Sequence, residues 1–250
     1  MEKKQRNIKI TLKYDGTKYH GWQKQGNTEK TIQGKLEQLL SRMTEEEIEV
    51  QGSGRTDAGV HALGQVANFH TYTNMSLDDM KQYMQTYLPK DIGILQVEEE
   101  NVRFHSRLSA KKKQYEYQIY LGKENPVFER FYCWHIDEPM DIEEMKKASR
   151  FFIGEHDFKS FCGNPKMKKS TIRTIEEIKI EKQDDFLYLQ FTGNGFLMNM
   201  VRILTGTLVE VGLGKRNCDE MEEILNAKKR EVAGVLAPPQ GLFLKKVWYE

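Results

Sequence analysis

The order of strand-like and helix-like segments constrains the fold of this chain more than any other feature, because the same order occurs twice. Residues 7–14 alternate polar and apolar side chains, which is typical of a half-buried strand. Residues 32–43 carry apolar side chains at helical spacing. The pattern then predicts a helix at 77–88 and strands at 48–53, 64–70 and 92–97. The first half therefore has the predicted order β-α-β-β-α-β.

The second half repeats this order with different residues. The pattern predicts a strand at 114–120, a helix at 141–153, a hairpin of 173–181 with 186–191, helices at 196–211 and 217–227, and a closing strand at 242–249. Asp141 with Glu144 predicts a capping box at the start of its helix. We therefore expect an α/β (α+β) fold of two ferredoxin-like, split β-α-β halves, with the helices on one side of a mainly antiparallel sheet. The expected domain ranges are 1–107 and 108–250.

The overall charge of the chain does not indicate a partner. Lys and Arg total 38 against 37 Asp and Glu, which leaves a net charge of +1. A polyanion would therefore have to be held by local patches. Three such patches exist, namely Lys111 with Lys112 and Lys113, Lys166 with Lys168 and Lys169, and Lys228 with Lys229 and Arg230. Taken singly, each patch is more typical of a solvated face than of a binding site.

Cysteine usage and the N-terminus indicate a cellular compartment. Cys133, Cys162 and Cys218 are far apart and form no CxxC motif, which excludes a disulfide framework and the common zinc motifs and fits a reducing cytosol. The N-terminus lacks the apolar core of a signal peptide, and no apolar run is long enough to span a bilayer. We expect a cytoplasmic protein with no membrane partner.

A glycine-rich segment at residues 54–62, GRTDAGVHA, is the first candidate site. Arg55 and Asp57 are the only formally charged residues between Glu49 and Asp78. A carboxylate beside a guanidinium in a tight loop stays ionised at neutral pH, and it can then act as a nucleophile or a base. The alternative is a turn that Asp57 caps while Arg55 is solvated.

Arg202 and Tyr115 form a second candidate set. Arg202 is the only charged residue between Asp185 and Glu210, and it lies in an apolar segment. Such an arginine either reaches water or meets an anion, for which Asp57 is the natural candidate. Tyr115 follows the basic run of Lys111, Lys112 and Lys113. Tyrosine beside lysines can stack an unpaired base while the lysines hold the backbone, although most aromatic residues in strands belong to the core.

Short motifs follow one another along nearly the whole chain. They are YDGT at 14–17, GWQ at 21–23, GRTDAGVHA at 54–62, GQV at 64–66, RF at 103–104, Tyr115 and Tyr117, HDF at 156–158, SF at 160–161, GFL at 195–197 and MVR at 200–202. In this order, the set resembles the TruA-type family of tRNA pseudouridine synthases. The resemblance implies a continuous sheet with a central RNA-binding cleft, and a homodimer that grips the anticodon arm of tRNA.

The resemblance also implies a reaction and roles for the candidate residues. A flipped-out uridine on the 3′ side of the anticodon stem-loop is detached at N1, rotated and rejoined through C5, with no metal or other cofactor. Asp57 is implied as the catalytic nucleophile. Arg55 is implied to help extrude the uridine, Arg202 to hold Asp57 ionised, and Tyr115 to stack on the base. Lys111, Lys112 and Lys113 are expected to bind the substrate backbone.

Three alternatives remain open at this point. The same chemistry could act on another RNA or another uridine, because relatives can share the Asp57 motif and differ in target. The chain could be a non-catalytic RNA chaperone, although binding alone does not require Asp57. A small-molecule enzyme is disfavoured because the sequence has no P-loop, Rossmann or metal motif.

Overall fold

A computed structural model describes residues 4–164 and 166–250 of the chain. The chain forms two compact units. The first contains the residues up to Lys111 together with Leu244–Glu250, and the second contains Lys112–Phe243. The described residues form ten strands and five α-helices, and every described strand pair except one is antiparallel. The predicted α/β class with a mainly antiparallel sheet is confirmed.

The first unit follows the predicted order β-α-β-β-α-β. Its elements are β1 (Arg6–Tyr14), α1 (Ile32–Thr44), β2 (Gln51–Gly52), β3 (His61–Thr71), α2 (Leu77–Tyr87) and β4 (Ile92–Glu100). Strand β1 lies between β3 and β4, and β2 pairs with the other edge of β3. The third strand therefore pairs with both the first and the second.

The core of the first unit explains why these segments form these elements. On β1, Ile8, Ile10 and Leu12 are fully buried, while the residues between them are more exposed. The apolar stripe of α1 is buried as well, and the Thr31 side chain caps that helix by accepting a hydrogen bond from Gly34 N. One face of the sheet and one face of each amphipathic helix thus make a shared core.

Strand β2 is shorter than the predicted 48–53. Only Gln51 and Gly52 pair with β3. The Val50 amide donates instead to Glu37 Oε1 at 3.1 Å, so a side chain of α1 replaces the partner strand at this position. The prediction of a six-residue strand is therefore wrong in length.

The second unit repeats the central pairing of the first. Its elements are β5 (Lys112–Tyr120), β6 (Trp134–His135), α3 (Ile142–Ser149), β7 (Gly154–Asp157), β8 (Ile172–Gln183), β9 (Phe186–Gly193), α4 (Met200–Gly212) and α5 (Glu220–Ala227). The strand order is β5-β9-β8-β7, and β6 pairs with β5 in parallel. Strand β9 pairs with β5 and β8 as β3 pairs with β1 and β2. Strand β10 (Leu242–Trp248) is the last strand in chain order.

Several predicted helix bounds in this unit are wrong. The helix predicted at 196–211 begins at Met200, because Asn199 adopts a left-handed backbone conformation with φ 59° that the helix cannot include. The helix predicted at 141–153 ends at Ser149, and a 3₁₀ turn follows. Asp141 caps it as expected, but the Glu144 carboxylate pairs with Lys147, so the capping box is half formed. Strands β6 and β7 were not predicted.

Within residues 4–164 and 166–250, no helix combines the length and the apolar character needed to cross a bilayer.

Candidate active-site loop and the residues that support it

The segment predicted to carry the chemistry is the connection between β2 and β3. The Thr56 side chain is buried, Arg55 is exposed and Asp57 is partly exposed. The loop therefore turns the Thr56 side chain inward, whereas Arg55 faces solvent.

Gln65 on β3 holds the loop from one side. Its Oε1 accepts hydrogen bonds from Ser53 Oγ at 2.8 Å and from Gly54 N at 3.1 Å, and its Nε2 donates to Gly54 O at 2.8 Å. The side chain is fully buried. One amide thus binds both backbone groups of the residue that precedes Arg55. Buried polar groups paired in this way are costly to release, which fixes the start of the loop.

Tyr14 extends this support to the middle of the loop. Its hydroxyl lies 2.8 Å from Thr56 Oγ1 and 3.4 Å from Gln65 Nε2. Burial raises the pKa of Tyr14, so the phenol is neutral near pH 7 and can hydrogen-bond to both groups. The residue immediately before Asp57 is therefore held through its side chain.

A second segment, which follows β1, holds the loop from the other side. Trp22 N donates to Thr56 O at 3.0 Å, and Gly59 N donates to Tyr19 O at 3.3 Å. Gly21 has φ 88°, and a Cβ at this position would lie 2.7 Å from Thr56 O. Only glycine allows this close approach of two backbones. The segments YDGT and GWQ thus support the Asp57 loop.

The Arg55 side chain is exposed, and the backbone on either side of it is held by hydrogen bonds from Gln65 and Trp22. That Arg55 keeps Asp57 ionised stays a prediction.

Tyr115 lies on β5 in the second unit. Its ring packs edge-on against Phe196 with 5.3 Å between the ring centroids, and 9% of the residue is exposed. Phe196 does not belong to a helix, as the sequence had suggested, but to the turn at residues 194–199 before α4. This turn therefore places the Phe196 ring against Tyr115.

Arg202 lies in the first turn of α4 and is 9% exposed. Its Nε donates to Ala237 O at 2.7 Å, and its Nη1 lies 3.3 Å from Asn199 Oδ1. The guanidinium is therefore anchored inside the second unit. Its pairing with Asp57 stays a prediction.

The three lysines before Tyr115 do not share one environment. Alternation along β5 places Lys113 on the same face as Tyr115 and Lys112 on the opposite face. Lys112 Nζ lies 3.0 Å from Glu176 Oε2. Lys111 is exposed and precedes the strand. Lys113 is thus better placed than Lys112 to act together with Tyr115.

A metal site was not expected from the sequence. Among the residues that the structure describes, no group of three or more His, Cys, Asp or Glu side chains is arranged to hold a metal ion.

The supporting role of Gln65 was not predicted from residue chemistry. It appeared only within the GQV motif, and its hydrogen bonds join positions 11 and 51 residues apart. Residues 53–64 contain Arg55, Asp57 and His61 but no amide side chain. This composition was the available signal that an amide from outside the segment must pair with its backbone groups.

Comparison with known proteins gives a consistent result. A family model described as tRNA pseudouridine synthase matches residues 10–108 and 148–250 of this chain, which is more than half of its length. The matched ranges include Arg55, Asp57 and Arg202. They leave out Tyr115 and the three lysines before it.

Similar proteins cover nearly the whole chain. A protein named tRNA pseudouridine synthase A from Thermoanaerobacter sp. (strain X514) is 48% identical over 244 residues, which cover 98% of this chain and 100% of the relative. One of the same name from Geobacillus sp. (strain WCH70) is 47% identical and covers 98% of this chain and 99% of the relative. A protein named tRNA pseudouridine synthase A 2 from Clostridium perfringens (strain 13 / Type A) is 44% identical, covering 98% and 100%.

Proposed function

This chain belongs to the tRNA pseudouridine synthase family, and from that premise we propose that it isomerises uridine on the 3′ side of the tRNA anticodon stem-loop, with Asp57 as the nucleophile. The reaction breaks the bond between N1 of uracil and C1′ of ribose and forms a bond from C5 to C1′. A proton leaves C5 and a proton is gained at N1, so the isomerisation is redox-neutral.

The observation that carries this proposal is the set of hydrogen bonds that fixes the backbone around Asp57. Gln65 and Tyr14 hold the preceding residues from one side, and the Trp22 segment holds them from the other. A nucleophile works best when its backbone is immobilised before the substrate arrives, because misplacement by about 1 Å can cost about 100-fold in rate. A loop that served only as a turn would not need support from three separate segments.

We assign the remaining candidate residues to the flipped-out uridine. Extrusion of a base costs a few kcal/mol, and stacking on an aromatic side chain contributes about 1–3 kcal/mol per base. Tyr115 supplies the aromatic surface, and the exposed Arg55 fills the space that the uridine leaves in the stem. Arg202 holds Asp57 ionised. The resemblance to the TruA-type family, rather than a measured distance, joins these residues to one reaction.

The same resemblance supports the binding of tRNA and the formation of a homodimer. Lys111, Lys112 and Lys113 bind the tRNA backbone, with Lys113 next to Tyr115 on one strand face. Lys112 contributes after exchanging its contact with Glu176 for a phosphate. The protein acts as a homodimer in the cytoplasm.

The experiment that tests the proposal is site-specific pseudouridine mapping of unmodified tRNA after incubation with wild type, Asp57→Ala and Asp57→Asn. We expect the wild type to convert uridines in the anticodon arm and both variants to convert none, while their affinity for tRNA changes little, since removal of one acidic side chain leaves the phosphate contacts in place. Loss of binding together with activity would assign Asp57 a structural role.

The same assay also tests whether the chain modifies another uridine or another RNA. One relative is named tRNA pseudouridine synthase A 2. The alternative in which the same chemistry acts on another uridine therefore has its own test. Residual conversion of a tRNA that lacks uridine in the anticodon arm would favour another uridine. Binding without conversion by the wild type would favour a different RNA.

A further inference from the structure

A run of positive charge in the second unit lies outside the residues assigned above. Between Phe158 and Ile175 the chain carries five cationic residues and no acidic one. They are Lys159, Lys166, Lys168, Lys169 and Arg173, and we term them the cationic loop. The four lysines are exposed. The sequence alone left open whether part of this set is a solvated face.

The ion pairs of the second unit distinguish this loop from its surroundings. Lys112 pairs with Glu176, and Lys228 pairs with Asp157. Within residues 4–164 and 166–250, none of the four lysines of the cationic loop forms a salt bridge with a carboxylate. Arg173 uses its Nη1 on the backbone carbonyls of Ser170 and Ile172. The positive charge is therefore not neutralised within the described protein.

The cationic loop is attached at both ends to the turn that supports Tyr115. At its start, Gly163 N donates to Met198 O at 2.8 Å. At its end, Thr174 N donates to Asn194 Oδ1 at 3.0 Å, and Asn194 N donates to Thr174 O at 3.0 Å. Met198 and Asn194 belong to the turn at residues 194–199. The same turn carries Phe196, whose ring contacts Tyr115.

We propose that the cationic loop binds the phosphate backbone of the RNA substrate beside the nucleotide that stacks on Tyr115. The inference rests on the proposed function, because it takes the substrate to be RNA with a base at Tyr115. A base held there places its flanking phosphates next to residues 194–199, and the unneutralised charges are anchored to this turn. Lysine and arginine side chains that replace the counterions of a nucleic acid contribute affinity that depends strongly on salt.

The test is the salt dependence of binding, measured by fluorescence anisotropy with end-labelled, unmodified tRNA over a series of KCl concentrations. The test variant carries Lys166→Gln, Lys168→Gln and Lys169→Gln. The matched control carries Lys146→Gln, Lys147→Gln and Lys179→Gln, three lysines of the same unit that are each paired with a glutamate. Both variants lose the same net charge.

We expect the slope of log affinity against log salt to become shallower by about 2–3 in the test variant, since each phosphate contact contributes about 0.7–0.9. The control should keep the wild-type slope. A variant with arginine at positions 166, 168 and 169 should restore it. An unchanged slope in the test variant, or an equal change in the control, overturns the proposal.

The failure of this proposal can be separated from that of the proposed function. Pseudouridine mapping with the wild type and with the test variant at saturating enzyme shows whether tRNA is the substrate, and we expect both to modify the same uridine. A wild type that modifies no tRNA overturns the proposed function, whereas the salt slope decides the role of the cationic loop in RNA binding.

Discussion

The two units share the pairing of three central strands but carry their candidate residues in different connections. In the first unit, the connection between the second and third strands is residues 53–60, which hold Arg55 and Asp57. In the second unit, the corresponding connection joins β8 to β9 through Asp184 and Asp185 alone, with Asp184 at φ 51°. A loop that carries the proposed nucleophile in one unit is a tight hairpin in the other.

The connection that follows the third strand carries candidate residues in the second unit rather than in the first. In the second unit, residues 194–199 place Phe196 against Tyr115 and supply Asn199 to Arg202. In the first unit, the connection before α2 ends in Ser76, whose side chain caps the helix. The comparison of the two units indicates that the shared sheet sets where the connections emerge, whereas the residues inserted in each connection determine its function.

The largest effect is expected at Gly21, where the first unit brings two backbones together. The Cβ in Gly21→Ala would lie 2.7 Å from Thr56 O, and no flexible side chain can move aside. The Asp57 loop must then shift, and we expect the single-turnover rate of pseudouridine formation to fall by about 100-fold or more.

Gly214 of the second unit is the matched control. It also has a positive φ, 66°, but a Cβ there meets no atom within 4 Å. Gly214→Ala should cost about 1–2 kcal/mol of backbone strain in chemical denaturation and leave the rate unchanged. Full activity of Gly21→Ala would show that the position of Asp57 does not depend on the Trp22 segment.

A smaller effect is expected from Gln65→Leu. The substitution leaves Ser53 Oγ and the N–H and C=O of Gly54 without their amide partner, at about 1–3 kcal/mol for each group that stays buried and unpaired. The loop keeps its other supports, so we expect kcat to fall by about 10-fold with little change in KM for tRNA.

Gln190 on β9 lies on the equivalent strand of the second unit and donates to Glu116 Oε2 at 2.8 Å. Because this contact supports no candidate loop, Gln190→Leu should leave kcat unchanged. Comparable losses of kcat in the two variants would mean that a strand glutamine supports activity only through general stability.

Features set by local pattern could be predicted from the sequence. Alternation at residues 7–14 and helical spacing at 32–43 arise from the burial of one face, and both elements formed as predicted. The predicted helix start at 196 was wrong because Phe196 and Leu197 continue the apolar spacing through a turn. The positive φ of Asn199, which prevents an earlier helix start, does not change the spacing of apolar residues. Strand β2 was shortened by a side chain distant in sequence.

The candidate site was predictable only in part, for a similar reason. Asp57 and Arg202 were identified because each is charged within a long neutral stretch, where burial of a charge needs a cause. Gln65 carries no charge, and its polar position in a strand resembles an ordinary solvent-facing residue. Its role depends on hydrogen bonds across the chain, which no local pattern encodes.

The smallest effect is expected at Asp157, which closes the base of the cationic loop in the second unit. Its carboxylate accepts a hydrogen bond from the Thr171 hydroxyl and lies 3.1 Å from Lys228 Nζ. Burial acts to raise the pKa of Asp157, but the hydrogen bond from Thr171 and the contact with Lys228 outweigh it and lower the pKa below its usual value.

A carboxyl group whose pKa is depressed by folding stabilises the protein at pH values above its unfolded pKa, about 3.9, and this contribution is lost as the pH falls through the folded pKa. Asp157→Asn should therefore lower the free energy of unfolding at pH 7 by less than about 1 kcal/mol, because the pair with Lys228 is largely solvated. Urea denaturation at pH 7 and at about pH 3 measures this difference, which should shrink in acid. A difference that persists in acid would mean that the uncharged hydrogen bonds to Thr171 and Lys159, rather than the ion pair, close the loop.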